Sequence, residues 1–459
     1  MSLQRLPAEI LEIICQGLCV HCRRKGWASS SSQDATHGEL TRQRSNLSKL
    51  SRTCKVFRAI GQPILFHTFC EVQKNCKWDK SKMIPFARTI VERPDLATCV
   101  TDFCILHHGT SGLMLTIAEK AMFNEATKND LLLRGIMGLP RAMVDGQKSS
   151  YVFSNQNDPE QGRVLALMII LRLPNLQRLV YMPPRPPNTT RAYRRADYAW
   201  DVPESNALAS LKKITIGRYN TMNAAHVDGI FANAPSLESL TIQEGLLRLE
   251  LIPFENLSEL NISSSRFNLT QLHEVVNRCH HLESFKLTPR AEWKDVRPNV
   301  FLRHIEPLAG RLKHLQIDFG MKRGHIPATG LISTFKLFTS LETLKLECDA
   351  VYFGGTSATA ASATFFTTLL PPSMKKFYLI KTHQGLKDAI ASFAPQAKMH
   401  CPALELVYFG HHKHRTGLTL EEIVSFEKPF ESVGVRLQVV GRPKPVPWKL
   451  SKEPLPEDS

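Results

Sequence analysis

Ten short stretches of this 459-residue chain carry apolar side chains at the first, fourth and sixth of six positions. They are Val100/Phe103/Ile105, Leu176/Leu179/Tyr181, Leu211/Ile214/Ile216, Leu237/Leu240/Ile242 and Leu257/Leu260/Ile262. They continue as Leu282/Phe285/Leu287, Leu312/Leu315/Ile317, Leu341/Leu344/Leu346, Met374/Phe377/Leu379 and Leu404/Val407/Phe409. With 43% of residues hydrophobic, such a triplet would start by chance at about one position in twelve, so the count alone decides nothing. The residues between the last two apolar positions decide more. Thr215, Thr241, Asn261, Lys286, Gln316 and Lys345 are polar, which gives the two-residue period of a strand covered on one face.

Several units share a lead-in that ends a helix and makes a small turn: Leu173-Pro174-Asn175, Ala234-Pro235-Ser236, Cys279-His280-His281 and Cys401-Pro402-Ala403. Between units run apolar stripes at helical spacing, such as Val227/Ile230/Phe231, Leu269/Leu272/Val276, Leu331/Phe335/Phe338 and Leu386/Ile390/Phe393. The expectation is an α/β chain of recurring strand–helix pairs from residue 96 to 440. This arrangement resembles the leucine-rich repeat, and the resemblance implies an irregular horseshoe-shaped solenoid with strands on its concave face. Two departures stand against regularity. Apart from the Val100 copy, a degenerate outlier, spacing among the other nine units runs from 20 residues (Leu237 to Leu257) to 35 (Leu176 to Leu211), and Gly245, Ser265, Arg290 and Gly320 occupy the place of the family's asparagine. The alternative is an ordinary mixed α/β domain.

The first seventy residues differ. Pro7 suits the first turn of a helix and Glu9 its positive end. Ile10, Ile13, Ile14 and Leu18 then form one stripe, and Leu47, Leu50, Cys54 and Phe57 a second. Short helices bury little surface alone, so this apolar surface should face a partner or the rest of the chain. Leu6-Pro7-x-Glu9-Ile10-x-x-Ile13, Leu47-x-x-Leu50-Ser51-Arg52-Thr53-Cys54-x-x-Phe57 and Pro63-x-Leu65-Phe66 together resemble the F-box, most closely its filamentous-fungal form. The resemblance implies a small all-α head over residues 1–70 that docks onto the SKP adaptor of a cullin-type ubiquitin ligase. It also implies adaptor contacts through Leu6, Pro7, Ile10, Ile13, Leu18, Leu50, Cys54, Phe57, Leu65 and Phe66. Residues 19–46 separate the two halves where the family has a short connection, and their run Ser29–Ser32 reads as a disordered insertion. Residues 71–95 are expected to form a linker helix.

Cys19-x-x-Cys22 is half of a tetrahedral zinc site, but no second pair lies nearby and His37 stands apart. The expectation is unligated thiols and no metal. Eleven cysteines without a small-domain framework fit a reduced, intracellular protein, cytoplasmic or nuclear. Neither a signal peptide nor a membrane span is legible, since Glu9, Glu12 and Gln16 interrupt the first apolar run. Phosphate loops, zincin helices and nucleophile elbows are absent from the sequence, and Gly109–Leu113 lacks the elbow's closing glycine. His411, His412 and His414 have no placed carboxylate or thiol partner. No catalytic residue and no cofactor are therefore expected.

The net charge of +16 needs its own account. Residues 183–199 form an expected inserted loop rich in proline and arginine, where Arg191, Arg194 and Arg195 alternate with Tyr193, Tyr198 and Trp200 nearby. No recognised nucleic-acid module accompanies it, and an acidic target or acidic partner surface is the expected destination of the charge. Residues 441–459, with Pro443, Pro445 and Pro447, read as a disordered tail. The functional expectation is a non-catalytic substrate receptor of an SKP–cullin–F-box ligase, with a cullin reached through the adaptor and an unknown protein as target. A non-catalytic repeat scaffold unrelated to ubiquitin and a basic nucleic-acid-associated protein are the alternatives. For target contact, Tyr378, Ile380, Leu406 and Tyr408 stand out, because most residues opposite the core are small or polar whereas the C-terminal units turn apolar there.

Overall fold

The computed structural model describes residues 6–19, 22, 45–73, 82–107, 115–128, 159–182, 207–219, 224–245, 252–263, 268–288, 296–319, 330–352, 361–410 and 418–439. The expected loop 183–199, the tail 441–459, most of the insertion 19–46, His411–His414 and Gly109–Leu113 lie outside the described residues. Twelve strands form one all-parallel sheet whose spatial order is the chain order, β1 to β12. They are β1 (Thr68–Gln73), β2 (Asp102–His107), β3 (Arg178–Met182), β4 (Lys213–Tyr219), β5 (Ser239–Gly245) and β6 (Glu259–Ser263). The rest are β7 (Ser284–Thr288), β8 (His314–Ile317), β9 (Thr343–Glu347), β10 (Lys376–Ile380), β11 (Leu406–Phe409) and β12 (Arg436–Val439).

This corrects the expected architecture. The chain is not a small all-α head followed by a leucine-rich-repeat-like horseshoe; it is an α/β fold built on one open parallel sheet. The reason lies at the expected boundary. Helix α2 (Lys55–Phe66), packed against helix α1 (Ala8–Gly17), runs directly into β1, which begins immediately after His67 caps α2. Of residues 71–95, Glu71–Gln73 finish β1, and helix α3 (Met83–Glu92) follows. The Phe66 ring lies 5.8 Å from Phe86 of α3, and Phe69 of β1 stacks on Phe86 at 4.1 Å and on Phe103 at 5.3 Å. Aromatic packing thus carries the helical segment into the sheet without a break.

Each of the ten sequence units places its fourth and sixth positions on one of strands β2 to β11 and its first position two residues before that strand, and every apolar residue of the ten is buried. The register explains the spacing. Phe103 pairs with Leu179 and Ile105 with Tyr181, so equivalent apolar positions line up across neighbours. Two strands escaped the pattern. Glu71 of β1 pairs with Ile105 where an apolar residue is expected, and it is buried with its carboxylate accepting from the Lys82 amide at 3.1 Å. In β12, Leu437 pairs with Val407 and Val439 with Phe409, but the unit's first position is Gly434, whose φ of +73° suits glycine.

Two compact units make up the chain. The first takes in the described residues up to Ser258, together with Ser263; the second takes Glu259–Ile262 and the described residues beyond Phe267. In the first, α1 and α2 share a core of Leu11, Cys15, Leu47, Phe57 and Ile64. In the second, helix Leu269–Arg278 starts with a full capping box, in which Asn268 accepts from the Gln271 amide at 2.8 Å and Gln271 returns the bond at 3.1 Å. Residues Leu331–Phe338, expected to be helical, are irregular. The Ile332 and Phe335 amides donate to Ala350 and Leu369 carbonyls, and the Thr334 hydroxyl donates to the Thr368 carbonyl. Bonds to neighbouring segments replace the i−4 ladder there. Ile332, Phe335 and Phe338 are buried all the same.

Candidate functional site

Helix α1 uses its two sides differently. Leu11 and Cys15 fill the core, whereas Ile10, Ile13 and Ile14 of the same helix are 42%, 62% and 37% exposed. Pro7 is exposed beside them. The other expected adaptor contacts are less available. Phe57 is buried in the shared core, and Leu6, Leu18, Leu50 and Leu65 are packed against it. Cys54 caps α2, its sulfur accepting from the Phe57 amide at 3.5 Å, and Phe66 is taken up by Phe86. The sequence therefore grouped ten residues that the structure separates into an exposed isoleucine face and its support.

Cys19 and Cys22 do not stand alone. His67, at the C-terminal cap of α2, brings Nδ1 to 3.3 Å from the Cys22 sulfur, and the two sulfurs and a ring nitrogen all lie within 4.8 Å of one another. Burial pushes the Cys22 thiol up to about 12, and the Cys19 thiol beside it adds to the rise. Sequence reasoning named both cysteines and missed the histidine, which lies 45 residues further along the chain.

In the second unit the sheet has two faces of different character. Phe377 and Phe409 point to the side where Phe366, Phe393 and Phe430 pack, with centroids 6.0 Å (Phe366–Phe377) and 5.4 Å (Phe366–Phe393) apart. Helix Lys387–Phe393 thus covers that side and leaves the Tyr378 side alone. On the opposite side, residues pair in rows: Lys286 with Gln316, Gln316 with Lys345, Lys345 with Tyr378 and Tyr378 with Tyr408. A shallow groove of about 460 Å³ runs along them, lined by Asn261, Lys286, His314, Gln316, Lys345 and Tyr378 among others. Tyr378 and Tyr408 rings lie 5.7 Å apart at 39° and are half-buried, as is Ile380. Burial raises the Tyr408 hydroxyl. Leu406 is only 4% exposed, so it supports this face without offering contact area. Burial lowers the Lys345 ammonium, and the Lys286 charge lowers it further.

Beyond the C-terminal ends of β9 and β10 lies a charged cluster. Lys381 turns with φ of +59°, unusual for a residue with a side chain, and its ammonium pairs with Glu347. Gly410 sits against that turn, 3.2 Å from the Ile380 Cα where a Cβ would stand, and donates to Leu379 at 2.7 Å. Glu347 is 2% exposed. Burial raises its carboxyl, Lys381 draws it back only in part, and Asp318 adds to the rise. His383 Nε2 lies 2.6 Å from Asp349, next to Cys348. Cysteine, histidine and aspartate in this order could suggest a nucleophilic relay, but Cys348 is wholly buried and burial pushes its thiol far up. The cluster braces the turn, and Cys348 is not within reach of a ligand from solvent.

The polar row was legible in principle, because Lys286, Gln316 and Lys345 are the outward residues of their strands; its groove was not, since it needs the pairing of β6 to β10. Among the described residues no helix is long and apolar enough to cross a membrane. No protein-family model matches the chain. No curated protein matches it either.

Proposed function

We propose that this chain is a non-catalytic substrate receptor of an SKP–cullin ubiquitin ligase. Its N-terminal helices would hold the SKP-type adaptor, and the groove of the second unit would hold a target protein. The observation that carries the reading is the exposed isoleucine face of α1, which coincides with the first F-box-like block while the remaining blocks supply its packing. A contiguous apolar face on a helix that already has a filled core is the mark of a docking surface. Burying it against an apolar helical partner removes that surface from water, and the mechanism after docking is proximity. A target held on this chain meets the charged conjugating enzyme at raised effective concentration, and no bond is made or broken by these residues.

The groove suggests the target's chemistry. Lys286 and Lys345 supply positive charge, and Tyr378 with Tyr408 supplies an aromatic anchor. An acidic segment bearing an apolar residue fits this lining, and its charge accords with the net +16 of the chain. The test is co-purification of the SKP-type adaptor with full-length protein and with a form lacking residues 1–70. Retention by the full chain and loss on truncation support the reading. Failure of the full chain to retain the adaptor ends it. The nucleic-acid alternative would show instead as salt-dependent binding of RNA or DNA.

A further inference from the structure

We propose that Cys19, Cys22 and His67 form a binding site for a divalent thiophilic metal ion, with zinc as the fitting member of that class. Three potential ligand atoms converge from two distant places in the sequence. The cysteines follow the C-terminal end of α1, and His67 closes α2 immediately before β1. Tetrahedral zinc, with Zn–S near 2.3 Å and Zn–N near 2.0–2.1 Å, places sulfur and nitrogen roughly 3.6 Å apart and two sulfurs roughly 3.8 Å apart. The Cys22 sulfur and His67 Nδ1 stand at 3.3 Å, and all three atoms lie within 4.8 Å, so small side-chain rotations complete the geometry. Two thiolates and an imidazole are a donor set that favours zinc over magnesium or calcium. With three protein ligands, the fourth position goes to water.

The surroundings are built to hold this arrangement. His67 is fixed by its own backbone, since its carbonyl accepts from the Thr101 and Asp102 amides at 3.0 Å each and from the Thr101 hydroxyl at 3.0 Å. Cys19 is buried, and its sulfur lies 3.9 Å from the Ile64 carbonyl in the last turn of α2. Cys22 and His67 are only half-buried, which leaves an entry for the ion. Binding exchanges the two thiol protons for the metal and joins the end of α1 to the α2–β1 junction. The ion would tie the helix with the isoleucine face to a strand of the sheet.

The experiment uses full-length protein, reduced, stripped of metal by a chelator and titrated with Co²⁺ as a spectroscopic stand-in, with zinc content measured in parallel. The expected result is about one metal per chain, with the thiolate-to-cobalt charge-transfer band and intense visible bands of a tetrahedral site. Cys22→Ser and His67→Asn should each weaken binding by more than the roughly 10–100-fold lost when a residue merely supporting a ligand is removed. Cys99→Ser, at a half-buried cysteine that is not one of the three grouped residues, should leave it unchanged. The proposal is overturned if the parent protein binds no cobalt, or binds it without the charge-transfer band. Binding retained in both variants overturns it too. Should Cys22→Ser fail to fold, the parent spectrum and the His67→Asn titration decide. Neither adaptor nor target enters the measurement, so its outcome is separate from that of the receptor reading.

Discussion

Replacing Ile10 and Ile13 together by alanine separates docking from folding. Full burial of an isoleucine side chain is worth roughly 1.5–3 kcal/mol. Ile10 and Ile13 are 42% and 62% exposed, so a partner covering both gains about one full side chain, roughly 1.5–3 kcal/mol. The double variant should therefore bind the SKP-type adaptor about 10- to 150-fold more weakly. Its stability should shift by no more than about 0.5 kcal/mol per site, because neither side chain belongs to the core cluster. Leu11→Ala, one position beyond Ile10 on the same helix and 1% exposed, should behave in the opposite sense and cost about 2–5 kcal/mol of stability. Titration calorimetry against purified adaptor and urea unfolding followed by circular dichroism measure the two quantities. An unchanged adaptor affinity in Ile10→Ala/Ile13→Ala would refute the docking face, and so would a stability loss as large as that of Leu11→Ala.

Three further outcomes follow from the second unit. Lys381→Met leaves Glu347 buried without its cation and should cost about 1–3 kcal/mol, less than a fully buried pair because the Lys381 side chain is 38% exposed. Glu347 has a folded-state pKa above its unfolded one, so its ionisation opposes folding at neutral pH and this penalty fades as the pH falls through the folded value. Urea midpoints of Lys381→Met measured from pH 7 downward should therefore converge on those of the parent, and a gap independent of pH would contradict the assignment. Thr419→Ala removes a capping box in which Thr419 accepts from the Glu422 amide at 3.2 Å and Glu422 accepts from the Thr419 amide at 2.9 Å, and should cost about 1 kcal/mol. Glu422 is held below the ordinary carboxylate range by the Thr419 amide and by Lys387, so its contribution is complete above the ordinary glutamate pKa of about 4.3 and is lost as the pH falls through the folded value. Chemical denaturation of Lys387→Met, which removes that cation, should show a shallower acid loss than the parent across that range. Tyr378→Ala with Tyr408→Ala should lower capture of an acidic target peptide at least tenfold with little change in melting temperature, and unchanged capture removes the groove as the target site.

Much of the strand framework was readable because burial on one face writes itself into a strand at fixed offsets. The first, fourth and sixth positions of each unit are its apolar positions, and all thirty proved buried. Where that offset is broken, reading failed. Glu71 hid β1 by placing a hydrogen-bonded carboxylate at an apolar position, and Gly434 hid β12 by placing a turn there. The stripe at Leu331, Phe335 and Phe338 misled in the other direction, since Phe335 and Phe338 are buried from a backbone that bonds to neighbouring segments instead of to itself.

Sequence by itself marked ten of the twelve strands and the helix that carries surplus isoleucines. Tertiary structure alone decided that the strands join into one open parallel sheet, that Phe66 belongs to the sheet's aromatic packing, and that His67 meets Cys22. The physical reason is range. A strand or helix period is set by neighbours a few residues apart, whereas the pairing of Glu347 with Lys381, 34 residues on, depends on hydrogen bonding between strands. No local pattern records that pairing.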